Sequence, residues 1–326
     1  MSEHPYDSLT PDAVITAVES AGYRSDARLL ALNSYENRVY QVGIEDEVPL
    51  VAKFYRPERW TEEQIREEHS FSFELKDADI SVVAPLISAD GESLHRYDDF
   101  LFALFPRRGG YPPELDNLDN LLVLGRTLGR IHSVGKATTF AHRQTMSVQR
   151  MVADSREFLL ENFIPTSLEP AYNSLTADLL AIVSEVFEEV DPDSMIRVHG
   201  DCHVGNILWR DDCAHFVDLD DCCMAPAIQD LWMFLNGERH DKQLQLSELI
   251  EGYSEFCDFQ PRQLRWLESL RTMRLVHYAA WLGRRWQDPA FPHSFTWFNS
   301  ERYWAEHILE LREQMSALQE EPLQLL

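Results

Sequence analysis

Polar side chains that can do chemistry are concentrated in one short stretch, RVHGDCHVGNILWR at positions 197–210. The stretch contains Asp201 and Asn206, and the strand-like segment HFVDLDD that follows it supplies Asp218. A carboxylate can orient a hydroxyl group and accept its proton, and carboxylate and amide oxygens are ligands that Mg²⁺ prefers. Because polar groups packed this densely beside apolar runs rarely serve packing, we expect a reactive site here.

The order and spacing of these residues predict phosphoryl transfer from ATP. His199, Asp201 and Asn206 fit the pattern H-x-D-x-x-x-x-N of kinase catalytic loops, and Asp218 ends a strand twelve positions later. In-line transfer needs a carboxylate that accepts the hydroxyl proton, which suits Asp201. It also needs two oxygen ligands that hold Mg²⁺ against the phosphates, which suits Asn206 and Asp218. The alternative is a strand-turn-strand unit that carries solvated polar side chains. It does not explain why four residues match the kinase pattern in the right order.

A metal hydrolase is the competing interpretation of the two histidines, His199 and His203. They lie four positions apart, but they straddle Gly200 and follow a strand, so the helical face of a zinc protease is missing. A metallophosphoesterase would need further Asp and His ligands where this chain has Val204 and Ile207. The hydrolase interpretation is therefore the weaker one.

An ATP site of this kind needs a lysine on a nearby strand, and Lys53 in the segment VAK fits a contact to the α- and β-phosphates. On the helix predicted next, Glu68 lies in the middle of an apolar arc, where a carboxylate is costly unless it is paired. We therefore expect an ion pair between Lys53 and Glu68, the alternative being a surface position for Glu68. The sequence has no glycine-rich phosphate loop, so we expect NSYENR (33–38) to cover the phosphates, with Ser34 contacting the β-phosphate.

The elements before position 106 predict a small β-rich N-lobe. Residues 39–44 and 50–55 are rich in strand-forming side chains, and residues 93–106 are typical of a hairpin that turns at Asp98 and Asp99. Between them, a helix is predicted to begin with Thr61 and Gln64 as a capping box.

A segment with three prolines and two glycines, at 106–117, is expected to separate two lobes, with the N-lobe at 1–106 and the C-lobe at 107–326. After it, apolar residues recur at helical spacing near 118–132 and 175–190, and further helices fit 243–257, 262–287 and 300–318. The reactive stretch would lie among these helices on a short strand-loop-strand element. The fold class is therefore α+β, with a large helical C-lobe.

Several segments resemble the aminoglycoside phosphotransferase/choline kinase superfamily of protein-kinase-like folds: HGDCHVGN, FVDLDD, VAKFYRPERW and QDLWM. NSYENRVYQ and DPAFP extend the resemblance, towards a bacterial stress-response branch, over essentially the whole chain. It implies a cytoplasmic, Mg²⁺-dependent, ATP-using serine/threonine protein kinase of the stress response. It assigns the proton acceptor to Asp201, magnesium ligands to Asn206 and Asp218, an ATP contact to Ser34, and a brace of the catalytic loop to Asp230.

The choice of a protein Ser/Thr side chain as acceptor rests on this resemblance alone. A kinase of a small amino alcohol or aminoglycoside is the alternative, favoured by the acidic charge and by the habits of the superfamily. A nucleotide-binding pseudokinase that acts as a scaffold is a third interpretation. The complete set of Lys53, Asp201, Asn206 and Asp218 argues against it, because a scaffold needs no such set.

Composition and charge restrict the partners and the compartment. The chain has 326 residues, 55 acidic against 29 basic, and a formal net charge of −26. Such a charge repels phosphate backbones and anionic lipid surfaces, so neither nucleic acid nor a membrane is expected as a partner. There is no apolar run of about 18 residues and no signal-peptide pattern. With five cysteines that form no disulfide framework, we expect a cytoplasmic monomer.

Two features near the site leave alternatives open. Asp220, two positions after Asp218, could contact a second Mg²⁺ or could be a solvated strand end. Cys202 and three further cysteines up to position 223 lack C-x-x-C spacing, so zinc is not expected. They are expected to be small packing residues, with a redox switch at Cys202 as the other possibility.

Overall fold

The first lobe is built on one antiparallel sheet of five strands, in the order β1-β2-β3-β5-β4, in the computed structural model, which describes residues 5–326. The hairpin of β4 and β5 turns at Asp98 and Asp99, as predicted. The strands are β1 (Ser25–Ala31), β2 (Arg38–Ile44), β3 (Leu50–Phe54), β4 (His95–Tyr97) and β5 (Phe100–Pro106).

Helices cover both faces of this sheet. Helix α1 (Pro11–Ser20) packs against the face of β3 that carries Ala52 and Phe54. Successive side chains of a strand point to opposite faces, so Lys53 points to the other face, towards helix α2 (Glu62–Asp77). The predicted capping box of α2 is confirmed, since the side chains of Thr61 and Gln64 each accept a bond from the other's backbone N–H.

The second lobe is mainly helical and holds the largest apolar core of the molecule, which confirms the two-lobed α+β fold class. No helix in the part of the chain that the structure describes is long and apolar enough to cross a membrane. The helices are α3 (Leu118–Gly135), α4 (Asp154–Asn162), α5 (Glu169–Glu188), α6 (Ile228–Leu231), α7 (Arg239–Ser254), α8 (Leu267–Arg284), α9 (Ala290–Ser294) and α10 (Glu301–Ala317).

Two small antiparallel ladders interrupt these helices and carry the reactive stretch, as the strand-loop-strand prediction requires. Strand β6 pairs with β9, and β7 pairs with β8. The loop from β6 to β7 contains Asp201 and Asn206, and the turn from β8 to β9 contains Asp218. The strands are β6 (Met195–Val198), β7 (Ile207–Arg210), β8 (Cys213–Phe216) and β9 (Cys223–Pro226).

The structure differs from the predicted elements in several places. The sequence pattern did not indicate β1 or the helices α1, α4, α6 and α9. The helix predicted over 262–287 is a 3₁₀ helix at Pro261–Trp266 followed by α8, because apolar periodicity over six residues does not separate 3.0 from 3.6 residues per turn. Strand β5 ends at Pro106 and α3 begins at Leu118. The lobe boundary at 106/107 stays a prediction.

Candidate active site

Asp230 on helix α6 holds in place the loop that contains Asp201. One carboxylate oxygen of Asp230 accepts the backbone N–H of His199 at 2.7 Å, and the other accepts that of Gly200 at 2.9 Å. His132 contacts the same carboxylate through Nε2 at 3.0 Å. The predicted bracing role of Asp230 is confirmed by these contacts.

The first residues of the loop are structural rather than reactive. His199 is fully buried, and its Nε2 donates to the carbonyl of Val217 at 2.9 Å, which ties the loop to the residue before Asp218. Gly200 has a φ of +87°, and a Cβ at this position would lie 2.2 Å from the carbonyl oxygen of Asp221. Only glycine fits there without displacing the backbone.

Asp201 projects into the cleft beside Arg274 and His203. Its Oδ1 accepts a hydrogen bond from Arg274 Nη1 at 2.6 Å, and its Oδ2 lies 3.5 Å from His203 Nε2. Burial by itself would raise the pKa of Asp201, but the hydrogen bond from His203 and the charge of Arg274 outweigh it and hold the pKa well below its usual range. Asp201 is therefore ionised at neutral pH, as a residue that orients a hydroxyl must be.

The side chains of Asn206 and Asp218 are oriented so that an amide oxygen and a carboxylate oxygen remain available to a ligand. The Asn206 side chain donates through Nδ2 to the carbonyl of Asp201 at 2.9 Å. This bond does not use the Oδ1 atom of Asn206. Asp218 has a left-handed backbone, with a φ of 60°, and its side chain is half exposed to the cleft. Such a backbone conformation is uncommon for a residue other than glycine and clusters at functional sites.

Lys53 lies at the centre of a group of carboxylates. Its Nζ is 2.9 Å from Asp218, 3.1 Å from Asp220 and 3.6 Å from Glu68. The predicted ion pair with Glu68 is thus present, but Asp218 and Asp220 are closer. Burial by itself would lower the pKa of Lys53, but the three carboxylates raise it well above its ordinary value, so the ammonium keeps its charge.

Asp220 is neither a solvated strand end nor a free ligand. Only 3% of the residue is exposed, and it pairs with Arg59 and accepts a bond from Asn37 Nδ2 at 3.1 Å. Burial by itself would raise the pKa of Asp220, but Arg59 and Lys53 outweigh it and lower the pKa below its usual range. In this structure two cations already compensate the carboxylate.

Glu67, next to Glu68 on α2, has a structural role that the sequence pattern did not indicate. Its carboxylate accepts the three consecutive backbone N–H groups of residues 141–143 at 2.6 to 2.8 Å. This places the buried Arg143, whose Nη2 donates to the carbonyl of Asp220 at 2.7 Å. Helix α2 therefore helps to fix, through Arg143, the turn that contains Asp218 and Asp220.

The residues predicted for ATP and for catalysis line one cleft of about 1310 Å³ between the lobes, including Ser34, Lys53 and Glu68. Ser34 lies in the loop between β1 and β2, where the phosphate-covering turn was predicted. Its contact to a phosphate stays a prediction.

The cysteines near the site are mostly internal. Cys202, Cys222 and Cys223 are buried, whereas Cys213 is exposed. Burial raises the pKa of the Cys202 thiol well above its usual value, which leaves almost no reactive thiolate. The packing interpretation is therefore favoured over a redox switch at this position.

Three arginines of the site were not identified from the sequence. Arg59 lies in the segment VAKFYRPERW, where no pattern marks it as the partner of a distant carboxylate. Arg274 is one of several charged residues on helix α8, so its charge alone does not distinguish it. Arg143 lies in a loop with no pattern that marks it. Their partners are distant in sequence, so spacing alone does not predict these contacts.

Comparisons with known proteins agree with this geometry. The model of the phosphotransferase enzyme family matches residues 28–267. Stress response kinase A of Escherichia coli (strain K12) is 45% identical over 99% of this chain and 98% of its own length. Serine/threonine protein kinase RdoA of Salmonella typhimurium is 43% identical over 98% of this chain and 97% of its own. The resemblance to the superfamily and to its stress-response branch is confirmed.

A solved structure shows the same fold at low sequence identity. Amicoumacin kinase hAmiN, in complex with AMP-PNP, Ca²⁺ and Ami, has a TM-score of 0.74 and 18% identity, and the match covers 94% of this chain and 93% of that one. At this identity the likeness concerns the fold alone.

Proposed function

Because the chain belongs to the phosphotransferase enzyme family, we propose that it is an ATP- and Mg²⁺-dependent kinase that phosphorylates Ser or Thr hydroxyls of proteins in a stress response. The name of its Salmonella relative, a serine/threonine protein kinase, supports the acceptor. Five free cysteines, four of them buried, support a reducing compartment and hence the cytoplasm. We also propose that the enzyme is a monomer.

One observation carries the proposal: a complete set of phosphoryl-transfer residues converges in a single cleft. Asn206 is bonded to the backbone of Asp201 at 2.9 Å, and Lys53 is bonded to Asp218 at 2.9 Å. All four line the same cleft. A scaffold that only binds nucleotide would not need Asp201, which faces the acceptor and not the lysine.

Each residue has a role that its surroundings support. Asp201 orients the acceptor hydroxyl and takes its proton as the hydroxyl oxygen forms the new O–P bond and ADP leaves. Arg274 fixes the rotamer of Asp201 through Oδ1, so Oδ2 is the oxygen directed to the hydroxyl. Lys53 contacts the α- and β-phosphates, Glu68 supports Lys53, and Ser34 contacts the β-phosphate.

The residues present fit a magnesium site. The Oδ1 of Asn206 and the half-exposed carboxylate of Asp218 are hard oxygen donors. No group of three or more His, Cys, Asp or Glu among residues 5–326 could hold a metal ion by itself, and Mg²⁺ characteristically takes one or two protein carboxylates and completes its shell with phosphates and water. Bound Mg²⁺ would neutralise charge on the phosphates, and Asn206 and Asp218 would hold it.

A small-molecule kinase is the second candidate, because the amicoumacin kinase with the same fold was solved with Ami. The test is the fate of ³²P from γ-labelled ATP and Mg²⁺, with a protein mixture, an amino alcohol and an aminoglycoside as separate acceptors. We expect label on protein Ser or Thr and none with Asp201→Asn. Label on a small molecule alone would favour the second candidate, and no transfer to any acceptor would favour a pseudokinase.

A further inference from the structure

The lining of the cleft is far more basic than the chain as a whole. Eight of the 29 Lys and Arg residues line it, against seven of the 55 Asp and Glu residues. A net charge of −26 attracts cations over long distances, which favoured a cationic acceptor at the level of composition. The local charge of the cleft lining favours an anionic acceptor instead.

The basic residues on the acceptor side lie on one face of helix α8 and its end. Arg274, His277, Tyr278 and Trp281 follow helical spacing and line the cleft, and Arg284 continues the same face. Arg274 contacts Asp201 at 2.6 Å, so this face adjoins the carboxylate that acts on the acceptor hydroxyl.

Arg150 faces this surface from a neighbouring element, and its guanidinium group has no partner in the part of the chain that the structure describes. It is half-buried and lines the cleft, yet no hydrogen bond or ion pair of its guanidinium group is found among residues 5–326. Asp221 attracts it from a distance but already pairs with Arg59 at 2.6 Å. A half-buried charge without a partner is costly unless a ligand compensates it.

Arg150 also lies on an unusual backbone. Residues Gln149–Ala153 form a single π-helical turn, a feature found frequently at functional sites. Arg284 forms no ion pair with a carboxylate of residues 5–326 either. Its guanidinium donates to the carbonyl of Asp154 at 3.4 Å and lies over the ring of Phe158.

The same arginines lie around the buried side chain of His277. Burial lowers the pKa of His277 to about 3, and Arg150, Arg284, Arg285 and Arg274 all add to the effect. The imidazole is therefore neutral at physiological pH and adds no charge to the arginines.

We propose that the acceptor is an acidic protein segment, in which Asp or Glu side chains beside the reactive Ser or Thr contact Arg150 and Arg284. This rests on the proposed protein-kinase function and names its substrate class. The cleft of about 1310 Å³ exceeds the roughly 300–1000 Å³ of small-ligand sites, so it has room for a chain segment beside the nucleotide. Guanidinium groups also bind carboxylates through paired hydrogen bonds.

The test uses three peptides, each with one acceptor serine, whose flanking residues are Glu in the first, Gln in the second and Lys in the third. For each peptide, kcat/KM is measured with γ-labelled ATP and Mg²⁺. We expect the Glu peptide to exceed the Lys peptide at least about tenfold. Arg150→Gln should lower kcat/KM about tenfold on the Glu peptide only, with the KM for ATP unchanged. Arg150→Glu should shift the preference towards the Lys peptide, and Arg284→Gln should act in the same direction as Arg150→Gln.

Arg312→Gln is the matched control, because Arg312 is an exposed arginine of α10 outside the cleft. Equal rates on the three peptides, or a preference for Lys flanks, would overturn the inference and leave the proposed function standing. Transfer to an amino alcohol or to a small carboxylate-bearing alcohol, with none to any peptide, would overturn the protein-kinase function and this inference with it.

Discussion

The two sides of the cleft differ in how completely their charges are paired within the protein. On the nucleotide side, Lys53 pairs with Asp218 and Asp220, and Arg59 pairs with Asp220 and Asp221, so each charge is compensated within the protein. On the acceptor side, Arg150 lines the cleft with no partner among the described residues. Compensated charges fix geometry, whereas an uncompensated charge selects the ligand that will compensate it.

The physical reason for this difference lies in burial. Lys53 and Asp220 are almost fully buried, at 6% and 3% exposure, and a buried charge that loses its partner costs on the order of 3–5 kcal/mol. The nucleotide side therefore needs internal partners for the fold to be stable. Arg150 is only half-buried, so its unpaired charge costs the unliganded protein less than an unpaired charge at Lys53 or Asp220 would, and a ligand can remove that cost.

The strongest test of the comparison is Asp201→Asn, because Asp201 lies on the acceptor side and does not contact Lys53. We expect transfer to fall by about 10²- to 10⁴-fold, the usual contribution of a general base, while ATP affinity changes little. Rates from γ-labelled ATP and calorimetric ATP binding measure the two effects. Asp211→Asn, on the exposed turn after β7, is the control, and near-wild-type transfer by Asp201→Asn would refute the assignment.

A smaller effect is expected on the nucleotide side, where Asp218→Ala and Asn206→Ala should weaken Mg²⁺-dependent ATP binding. We expect a loss of about tenfold or more for Asp218 and less for Asn206, because only Asp218 carries charge. Isothermal titration calorimetry with and without Mg²⁺ measures this.

The control for the backbone at Asp218 is Asp212→Ala. Asp212 has a φ of 56°, close to the 60° of Asp218, but it is exposed. It therefore reports the cost of alanine in a left-handed conformation alone. Unchanged Mg·ATP affinity in both site variants would contradict their assignment as magnesium ligands.

A third prediction concerns the pH dependence of stability and tests whether the acceptor-side arginines converge. The pKa of His277 is about 3 in the folded protein and about 6.5 in the unfolded chain. Between these values the unfolded chain binds the extra proton, so the free energy of unfolding falls as the pH drops below about 6.5. We expect His277 to contribute about 2 kcal/mol of this loss between pH 7 and pH 5.

Urea unfolding of wild type and His277→Gln at several pH values measures the contribution, and the variant should show a flatter dependence. In the folded protein, Arg150→Gln should raise the pKa of His277 in an NMR titration, and Arg312→Gln should not. An imidazole that titrates near its ordinary pKa would show that the arginines do not converge on it.

The sequence predicted the parts of the site that lie close together in the chain. Asp201, Asn206 and Asp218 are linked by fixed spacing, and the capping box of α2 depends on two residues three positions apart. Arg274 and Arg150 were not predicted, because their roles depend on α8 and the π-helical turn packing beside the catalytic loop. The burial of Asp220 likewise depends on Arg59, which is 161 positions away in the chain.

The last prediction has the smallest expected effect, which is none: phosphatase treatment should leave activity unchanged. Residues 218–230 connect the nucleotide side to the brace at Asp230, and they contain no Ser, Thr or Tyr to phosphorylate and no Lys or Arg to receive a phosphate. Strand β9 in this span pairs with β6, and Met224 exchanges backbone bonds with Gln144 at 3.0 Å and with Met146 at 2.8 Å.

Both sides of the cleft should therefore be assembled in the unmodified chain, since backbone pairing and not an added phosphate orders the segment that joins them. An added phosphate beside residues 218–221 would mainly repel carboxylates already present. Recombinant protein treated with phosphatase should keep its full initial rate on a competent acceptor, with mock-treated protein as the control. Loss of activity that an upstream kinase restores would show that the acceptor side is formed only after modification, and the contrast between the two sides would then describe an inactive state.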